Sequence, residues 1–335
     1  MINENILVQL WKEHLKSNSK GKWKVHNFIR NLFDKFNIPE KLFNFFEKHL
    51  KEVESDGSTV LVTSKLSTDS LKALIVDNSI CAIHIPNFCP ADIADSLSKS
   101  ALDEFTQWKL GGVLKTDMFF AGGSIPKEVA DNSWPEFHRY FSQREEFVSR
   151  QRVLSGGKWP VDQLRDELDD SWPFGACTGE YLKQKLRPAI MRIMQEENGF
   201  DFSSPKHGFI HTDDFLKLNY SKATFTANIY LKIPEEGGDL YVWPINLNRI
   251  RGFYNYMVAR ILSLILTQKY IFNAEWQEKI FKLFPKPQII KPKKGDLVIF
   301  HSGRPHSVAP VNKGTRITNQ LFIFVKGDAP LTLGS

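Results

Sequence analysis

The sequence predicts an α+β fold in which helices flank a core of paired strands. Helices are predicted near the N-terminus, where apolar residues recur at helical spacing over residues 3–17. Strands are predicted in the C-terminal half. Residues 224–231 alternate between polar and apolar side chains, while residues 297–300 and 317–325 are apolar runs rich in β-branched and aromatic residues. Turns that contain Gly, Pro and Asn separate the last two runs.

Composition and charge place the chain among ordinary globular proteins and narrow its partners. Of its 335 residues, 42% are apolar and 24% are charged, which is typical of a folded domain. The net charge of +6 is spread along the chain without a run of Lys or Arg, so we expect no nucleic-acid-binding segment. The positive excess is either an ordinary surface property or a basic cleft that attracts a small anionic substrate.

Cysteine usage and the N-terminal segment indicate the compartment. Cys81, Cys89 and Cys177 lack metal-binding or redox spacing, so no disulfide framework is predicted. The N-terminal residues carry charges within their apolar pattern, unlike a secretory signal. No apolar run approaches the roughly 20 residues that a bilayer span needs. We therefore expect a cytoplasmic protein that does not bind membranes.

Helices predicted before residue 51 contain many aromatic residues. At helical spacing, such residues are typical of a helix–helix core rather than of a ligand site. We interpret residues 1–75 as a helical N-terminal extension of a main domain that spans residues 76–335. The extension is expected to pack on that domain and could support a homodimer.

The middle of the chain is predicted to hold a strand, two helices and a long irregular segment. Residues 79–88 are predicted to form a strand and turn, followed by a helix from Pro90, and residues 181–196 are predicted to form a second helix. Residues 111–175 contain Gly and Trp-Pro pairs and are predicted to form irregular loops, and a long irregular segment in a compact domain is more often functional or mobile than idle. Candidate lining residues in these loops are Trp134, His138, Arg139, Arg144, Trp159 and Trp172.

Two groups of polar residues combine into a predicted metal site. His211 and Asp213 are two residues apart, so both side chains leave the same face of an extended segment. His306 lies before a turn at 312–314, which lets Arg316 return on an adjacent strand that faces the same pocket. Two imidazoles and one carboxylate, with open coordination positions, are the facial triad of non-heme Fe(II) oxygenases. Arg316 would anchor a carboxylate co-substrate through its planar guanidinium.

The chain resembles the Fe(II)/2-oxoglutarate-dependent oxygenases, in particular their prolyl-4-hydroxylase-like branch. A lone His-x-Asp pair is a weak signal, because such residues also serve as core histidines and turn caps. Four blocks in the family's order make the resemblance specific, and it spans roughly residues 78–326. The four blocks are residues 211–213, 230–240, 295–301 and 306–316.

The resemblance implies a double-stranded β-helix, or jelly-roll, core that uses Fe(II), 2-oxoglutarate and O2. It implies that the iron ligands are His211, Asp213 and His306. It also implies that Arg316 binds the distal carboxylate of 2-oxoglutarate. The alternating strand at 224–231 aligns with a family strand that borders the co-substrate. Further candidate contacts to 2-oxoglutarate on its polar face are therefore Thr226, Asn228 and Tyr230.

A helical insertion is predicted between the two halves of the metal site. Asp213 and His306 are 93 residues apart, farther than the family pattern requires, and residues 245–290 are interpreted as inserted helix. Helices are predicted there over residues 252–268 and after Asn273. The insertion could be a lid over the site, structural padding or an oligomer contact.

We expect the chain to oxidise an unactivated C–H bond of a small, carboxylate-bearing, amino-acid-derived molecule, with release of succinate and CO2. The outcome could be hydroxylation, or ring closure as in kainoid-type natural product biosynthesis. Arg304 is the first candidate for the substrate carboxylate, because it precedes His306 by two residues in a turn at the expected pocket mouth. Further candidates around that mouth are Arg249, Arg251 and Trp243.

Two other functions stay open from the sequence. The first is modification of a macromolecule, above all by a protein or peptide hydroxylase of the prolyl-hydroxylase type. A demethylase of alkylated nucleic acid is disfavoured, because residues 317–326 lack the second arginine of such enzymes. The second is a non-catalytic binding barrel, which would be expected to have lost one of the metal ligands.

Overall fold

The largest sheet of the protein joins strands from both halves of the chain. Within the described residues it has nine strands, and it carries the main apolar core on one face. Its other face carries much of the candidate site. The structure is a computed structural model that describes residues 4–19, 54–107, 118–121, 134–196, 206–213, 223–246 and 274–335.

The helices mostly precede the strands that carry the site. Pro160 lies in the first turn of its helix, where the missing N–H costs no hydrogen bond. None of the helices in the described ranges has the length and hydropathy of a membrane span. In chain order the helices are α1 Glu4–Ser19, α2 Thr68–Lys72, which a π-helical turn Ala73–Asp77 extends, α3 Ala91–Gln107, α4 Trp134–Ser142, α5 Arg144–Leu154, α6 Pro160–Ser171 and α7 Ala274–Leu283.

The strands are short at both ends of the fold and longest at its centre. The first eight are β1 Thr59–Val62, β2 Ile80–Ile85, β3 Met118–Ala121, β4 Ala176–Thr178, β5 Glu180–Tyr181, β6 Gln184–Lys185, β7 Ile190–Gln195 and β8 Ala223–Lys232. The others are β9 Glu236–Gly237, β10 Leu240–Val242, β11 Gln288–Ile290, β12 Leu297–His301, β13 His306–Val308, β14 Val311–Lys313, β15 Thr315–Val325 and β16 Leu331–Gly334.

The large sheet places β8 and β15 at its centre. Its order is β1-β2-β12-β8-β15-β16-β4, and β7 also pairs with β15 while β3 pairs with β7. β8 and β15 are antiparallel, with Tyr230 opposite Thr318 and Asn228 opposite Gln320. β12 pairs antiparallel with the other side of β8. Directly opposite residues of paired strands share a face, so this register collects polar side chains from β8 and β15 on one side.

The two faces of the large sheet differ in polarity. Successive strand residues point to opposite faces, and in β8 Ala227 and Ile229 belong to the buried apolar core. That core continues through β7 and takes in apolar side chains of α3, α5 and α6. The opposite face of β8 carries Thr226, Asn228 and Tyr230, which confirms that the three share a face, as the alternation of residues 224–231 predicts.

A three-stranded sheet packs against the polar-bearing face of the large sheet. Its order is β11-β10-β13, and Val242 of β10 lies opposite His306 of β13. Leu240 and Val242 share an apolar cluster with Val298 and Phe300 of the large sheet. The two sheets therefore enclose the space between them. The predicted α+β class, with a large mixed sheet and flanking helices, is confirmed.

Several local predictions are corrected by the structure. Residues 181–196 form β7 and two short strands instead of a helix, because Pro188 removes a backbone donor that a helix interior needs. Residues 111–175 contain three helices, α4 to α6, where irregular loops were expected. β1 pairs in parallel with β2, so part of the predicted helical extension at 1–75 belongs to the large sheet.

Other predictions are confirmed or lie beyond the described residues. α1 and α3 are present where helices were predicted, as is the strand at Ile80–Ile85. The described part of the insertion at 245–290 contains α7, as predicted after Asn273, but also the strand β11. The helices predicted over residues 20–53 and 252–268 lie outside the described residues.

Candidate active site

His211 and His306 face each other across an isolated β-bridge. The backbone N–H of each residue donates to the carbonyl of the other at 2.9 Å, and the two ring centroids are 4.3 Å apart. The preceding residue, Ile210, is held by the buried amide of Gln277 on α7. Gln277 Oε1 accepts from the Ile210 N–H at 2.7 Å, and Nε2 donates to the Ile210 carbonyl at 3.0 Å. These bonds fix residues 206–213 beside β13.

Asp213 completes a cluster of three potential metal ligands. Its carboxylate oxygens lie 3.9 Å from His211 Nε2 and 3.4 Å from His306 Nε2. One ligand atom from each of the three residues can be chosen so that all lie within 4.8 Å of one another. Each imidazole donates from Nδ1 to a backbone carbonyl, of Phe209 or of Arg304, at 2.9 Å. Because Nδ1 carries the proton, Nε2 keeps its lone pair for a metal.

The backbone and carboxylate of Asp213 are held by neighbouring strands. Its N–H donates to the Ser302 carbonyl at 3.0 Å. The hydroxyl of Thr226 on β8 donates to Oδ2 of Asp213 at 3.4 Å and lies 2.8 Å from the Ser302 hydroxyl. Thr226 therefore supports the carboxylate of Asp213.

The protonation states of the cluster suit metal binding. Burial, together with the neighbouring His306, lowers the pKa of His211 to about 4. Burial alone would raise the pKa of Asp213, but the hydrogen bond and charge of His306, with the charges of His211 and Arg192, lower it overall. At neutral pH the cluster thus offers a neutral imidazole and a charged carboxylate, as metal ligands must be. Such nitrogen and oxygen donors fit Fe(II).

Arg316 lies on the same side of the large sheet with most of its hydrogen-bonding capacity unused. The residue is 1% exposed, and its guanidinium carbon sits 4.9 Å from the ring centroid of Tyr230. Nη1 donates to Met194 Sδ at 3.6 Å. Nε and Nη2 have no hydrogen-bond partner among the residues that the structure describes. A buried cation with two open donors is suited to a carboxylate ligand.

The polar face of β8 spans the distance between the metal cluster and Arg316. Thr226 contacts Asp213, whereas Tyr230 lies under Arg316. At roughly 3.4 Å per residue, these two positions are ~13 Å apart along the strand. Asn228 lies between them, and its Oδ1 is buried without a hydrogen-bond partner in the described part of the chain. A short dicarboxylate, with one end at the metal and one at Arg316, fits this interval.

Arg192 of β7 is a site residue that the sequence analysis missed. Burial, and then the like charge of Arg316, lower its pKa to about 10, while Asp213 and Tyr230 act in the opposite direction. It therefore lies within electrostatic range of both the metal cluster and Arg316. The prediction of a helix over residues 181–196 concealed it. If Pro188 is taken as a helix breaker, residues 190–195 can be assigned to a strand. Alternation along that strand then places Arg192 on the face opposite the apolar side chains.

Two of the predicted substrate-binding side chains are fully buried and have partners within the fold. The Arg304 guanidinium is fully buried, and Nη1 donates to Asp56 Oδ2 at 2.6 Å. Trp243 is also fully buried, with its ring centroid 6.2 Å from those of Phe281 and Phe284. The remaining predicted contacts lie outside the described residues and are Arg249 and Arg251.

The predicted lining residues of 111–175 are placed on or beside helices. Trp134 packs with Trp11 of α1, and His138 pairs with Glu4 at 2.8 Å. Arg144 donates to the Leu186 carbonyl at 2.9 Å. These contacts hold the three side chains within the fold, and two other tryptophans of the set, Trp159 and Trp172, are buried in the main core.

A match to a known protein family agrees with this site chemistry. Residues 202–324 match the 2OG-Fe(II) oxygenase superfamily. No curated protein sequence matches the chain. Among solved structures, an N-substituted L-amino acid dioxygenase from Burkholderia ambifaria AMMD is similar at 13% identity and a TM-score of 0.42, over 80% of this chain and 91% of that one. A Pseudomonas putida prolyl-4-hydroxylase is similar at 14% identity and a TM-score of 0.34, over 78% of this chain and 97% of that one.

The sequence match contains all the residues of the candidate site except Arg192. The histidine pair, Asp213, the polar face of β8 and Arg316 fall within residues 202–324. The family implies a jelly-roll core, with which the two packed sheets agree. On this match, residues 202–324 carry a 2OG-Fe(II) oxygenase domain, and the enzymes of that superfamily depend on Fe(II), 2-oxoglutarate and O2.

Proposed function

We propose that the chain oxidises a C–H bond of a small, carboxylate-bearing, amino-acid-derived molecule, by hydroxylation or oxidative ring closure. In this proposal His211, Asp213 and His306 bind Fe(II). The observation that carries the metal assignment is the convergence of their ligand atoms within 4.8 Å, with both Nδ1 atoms committed to carbonyls. When bound, Fe(II) and 2-oxoglutarate supply O2 activation and substrate oxidation, with release of succinate and CO2.

Arg316 holds the distal carboxylate of 2-oxoglutarate. Support comes from its burial and from the two open donors on Nε and Nη2. Tyr230 lies against the guanidinium and sets its position, while Asn228 faces the middle of the co-substrate. Thr226 acts on the metal side, through the carboxylate of Asp213, rather than on the distal carboxylate. In this proposal each end of 2-oxoglutarate is held by a different group of residues.

The chain's own residues also prepare the pocket for chemistry. The apolar cluster formed with β10 and β12 closes the pocket beside His306 and limits access of water. The charged carboxylate of Asp213 and the neutral imidazole of His211 favour a divalent cation over a proton at neutral pH. The positive charges of Arg192 and Arg316 make the interior of the pocket attractive to anions. This basic interior supports an anionic co-substrate and an anionic substrate.

The test is an anaerobic calorimetric titration of the metal-free protein with Fe(II), followed by assay of 2-oxoglutarate conversion to succinate. Asp213→Ala removes a charged ligand and should weaken Fe(II) binding by more than ~100-fold. Asp95→Ala is the matched control, since Asp95 forms an exposed pair with Lys294. Wild-type iron affinity and turnover in Asp213→Ala would show that the metal is bound elsewhere.

A further inference from the structure

Arg304 connects the predicted metal ligand His306 to the segment 54–58. Its backbone carbonyl accepts a hydrogen bond from Nδ1 of His306 at 2.9 Å. Its guanidinium donates from Nη1 to Oδ2 of Asp56 at 2.6 Å and from Nη2 to the Asn78 carbonyl at 3.4 Å. The same residue therefore orients an imidazole of the candidate site and forms an ion pair with a distant part of the chain.

The ion pair between Arg304 and Asp56 fixes the arginine side chain, because that charge has no access to water. The side chain of Arg304 is 0% exposed, and that of Asp56 is 32% exposed. Asp56 is in turn held by Ser58, whose N–H and hydroxyl donate to Oδ1 at 3.0 and 2.6 Å. Separation of the pair would leave a buried guanidinium without a counter-charge, which is strongly unfavourable. Arg304 is therefore tied to the position of Asp56.

The turn that contains Arg304 is joined to its surroundings on two sides. On one side, the N–H of Trp243 donates to the Pro305 carbonyl at 2.9 Å. On the other side, the ion pair joins the turn to Asp56, whose own N–H donates to the Pro244 carbonyl at 2.8 Å. Without the ion pair the turn keeps its contact with Trp243 but loses its attachment to the segment 54–58.

The backbone of His306 has separate support, so a change at Arg304 acts on the imidazole ring. The N–H and carbonyl of His306 are bonded to His211 across the β-bridge. The ring itself depends on the Arg304 carbonyl: while Nδ1 donates to it, Nε2 keeps the lone pair that a metal needs. A displaced carbonyl lets the ring rotate or carry its proton on Nε2. Either change weakens metal binding while the strand stays in place.

We propose that Arg304 is a positioning residue for the metal ligand His306, and that Asp56 makes the segment 54–58 a part of the metal site. The inference rests on the proposed function, because it takes His306 as a ligand of Fe(II). It gives Arg304 a role other than the predicted contact with a substrate carboxylate, since its charge is already paired. It also gives this part of the predicted N-terminal extension a role in metal binding.

The experiment measures Co(II) binding by the full chain, because the visible absorption of Co(II) reports both affinity and ligand geometry. Wild type is compared with Asp56→Asn, Arg304→Met and Arg304→Lys. Asp56→Asn keeps the size of the side chain and removes its charge, while Arg304→Lys keeps a positive charge and loses the planar fork. The control Val161→Ala lowers stability by truncating a buried side chain of α6 in the main core, on the face of the large sheet opposite the site.

Asp56→Asn and Arg304→Met should bind Co(II) about 10- to 100-fold more weakly than wild type and shift its absorption bands. Arg304→Lys should lose less affinity than Arg304→Met. Val161→Ala should keep the wild-type affinity and spectrum despite its lower Tm. At saturating Co(II), the Kd of 2-oxoglutarate should stay within about threefold in every variant, since none of them changes Arg316.

A wild-type affinity and spectrum in Asp56→Asn or Arg304→Met would overturn the inference. An equal loss of affinity in Val161→Ala would do the same, because affinity would then follow stability alone. If the two stronger variants do not fold, Arg304→Lys decides: a weaker Co(II) affinity supports the inference and an unchanged one overturns it. Failure of wild type to bind Co(II), or binding that Asp213→Ala leaves unchanged, would instead refute the proposed function.

Discussion

Replacing Arg316 by methionine isolates the charge that the site offers to 2-oxoglutarate. Methionine keeps an apolar stem over Tyr230 but removes the guanidinium. Nε and Nη2 are both open, so two charge-assisted hydrogen bonds to the distal carboxylate are lost. At about 1.5–3 kcal/mol each, and with some compensation, the loss is about 3–4 kcal/mol. The Kd of 2-oxoglutarate should then rise roughly 100- to 1,000-fold.

The same substitution should leave the fold intact, which separates binding from stability. In the unliganded protein Arg316 buries a charge with two unpaired donors, and such a group contributes little to stability or opposes it. The Tm of Arg316→Met without ligand should therefore equal or exceed that of wild type. Calorimetric titration of the Mn(II)-loaded variant gives the Kd. A change below threefold, with Tm unchanged, would refute the assignment of Arg316.

Three further predictions concern the supports of the site. Thr226→Val should weaken Fe(II) binding about 10-fold by calorimetry, since its hydrogen bond to the metal-binding carboxylate is long at 3.4 Å; unchanged affinity would contradict this. Asp56→Ala strands the buried charge of Arg304 and should cost about 2–3 kcal/mol in urea unfolding. Asp95→Ala breaks an exposed ion pair and should lower the free energy of unfolding by less than ~1 kcal/mol. Equal losses in Asp56→Ala and Asp95→Ala would contradict the expected difference between a buried and an exposed pair. Gly208→Ala should abolish Fe(II) binding or folding, because a Cβ there would overlap a β13 carbonyl at a φ of +73°; a wild-type Tm and affinity would contradict this.

The metal cluster could be predicted from the sequence because its geometry is local or set by one turn. His211 and Asp213 share a face by strand alternation. The turn does bring Arg316 back to the same pocket, but on β15 of the large sheet, whereas His306 lies on β13 of the three-stranded sheet, so the two strands are not adjacent as predicted. The placement of Thr226 on the inner face follows from the same alternation. Its contact with Asp213 could not be predicted, because that contact depends on how β12 and β8 align with the segment 206–213.

Sequence patterns do not indicate contacts between residues that are distant in the chain, and they mislead where two periodicities overlap. The partner of Arg304 is Asp56, 248 residues away, so no local pattern indicated that its charge was already neutralised. Around Arg192, apolar residues are so frequent that both helical and strand spacing can be matched. Pro188 was the one local signal that favoured strands. Arg192 stands between the core residues Met191 and Ile193, and it indicates a polar face only once these residues are recognised as the strand β7.

The insertion between the metal ligands has a structural link to the site that its composition did not predict. Gln277 of α7 is fully buried, and its amide makes two hydrogen bonds to the backbone of Ile210, next to His211. An amide that both donates and accepts mimics a neighbouring strand, so α7 completes the pairing of a segment that bridges β13 only at His211. Loss of one such buried bond leaves its partner unsatisfied, which costs about 1–3 kcal/mol. The position of α7 and the position of His211 are therefore coupled, and any movement of the inserted segment acts directly on a predicted metal ligand.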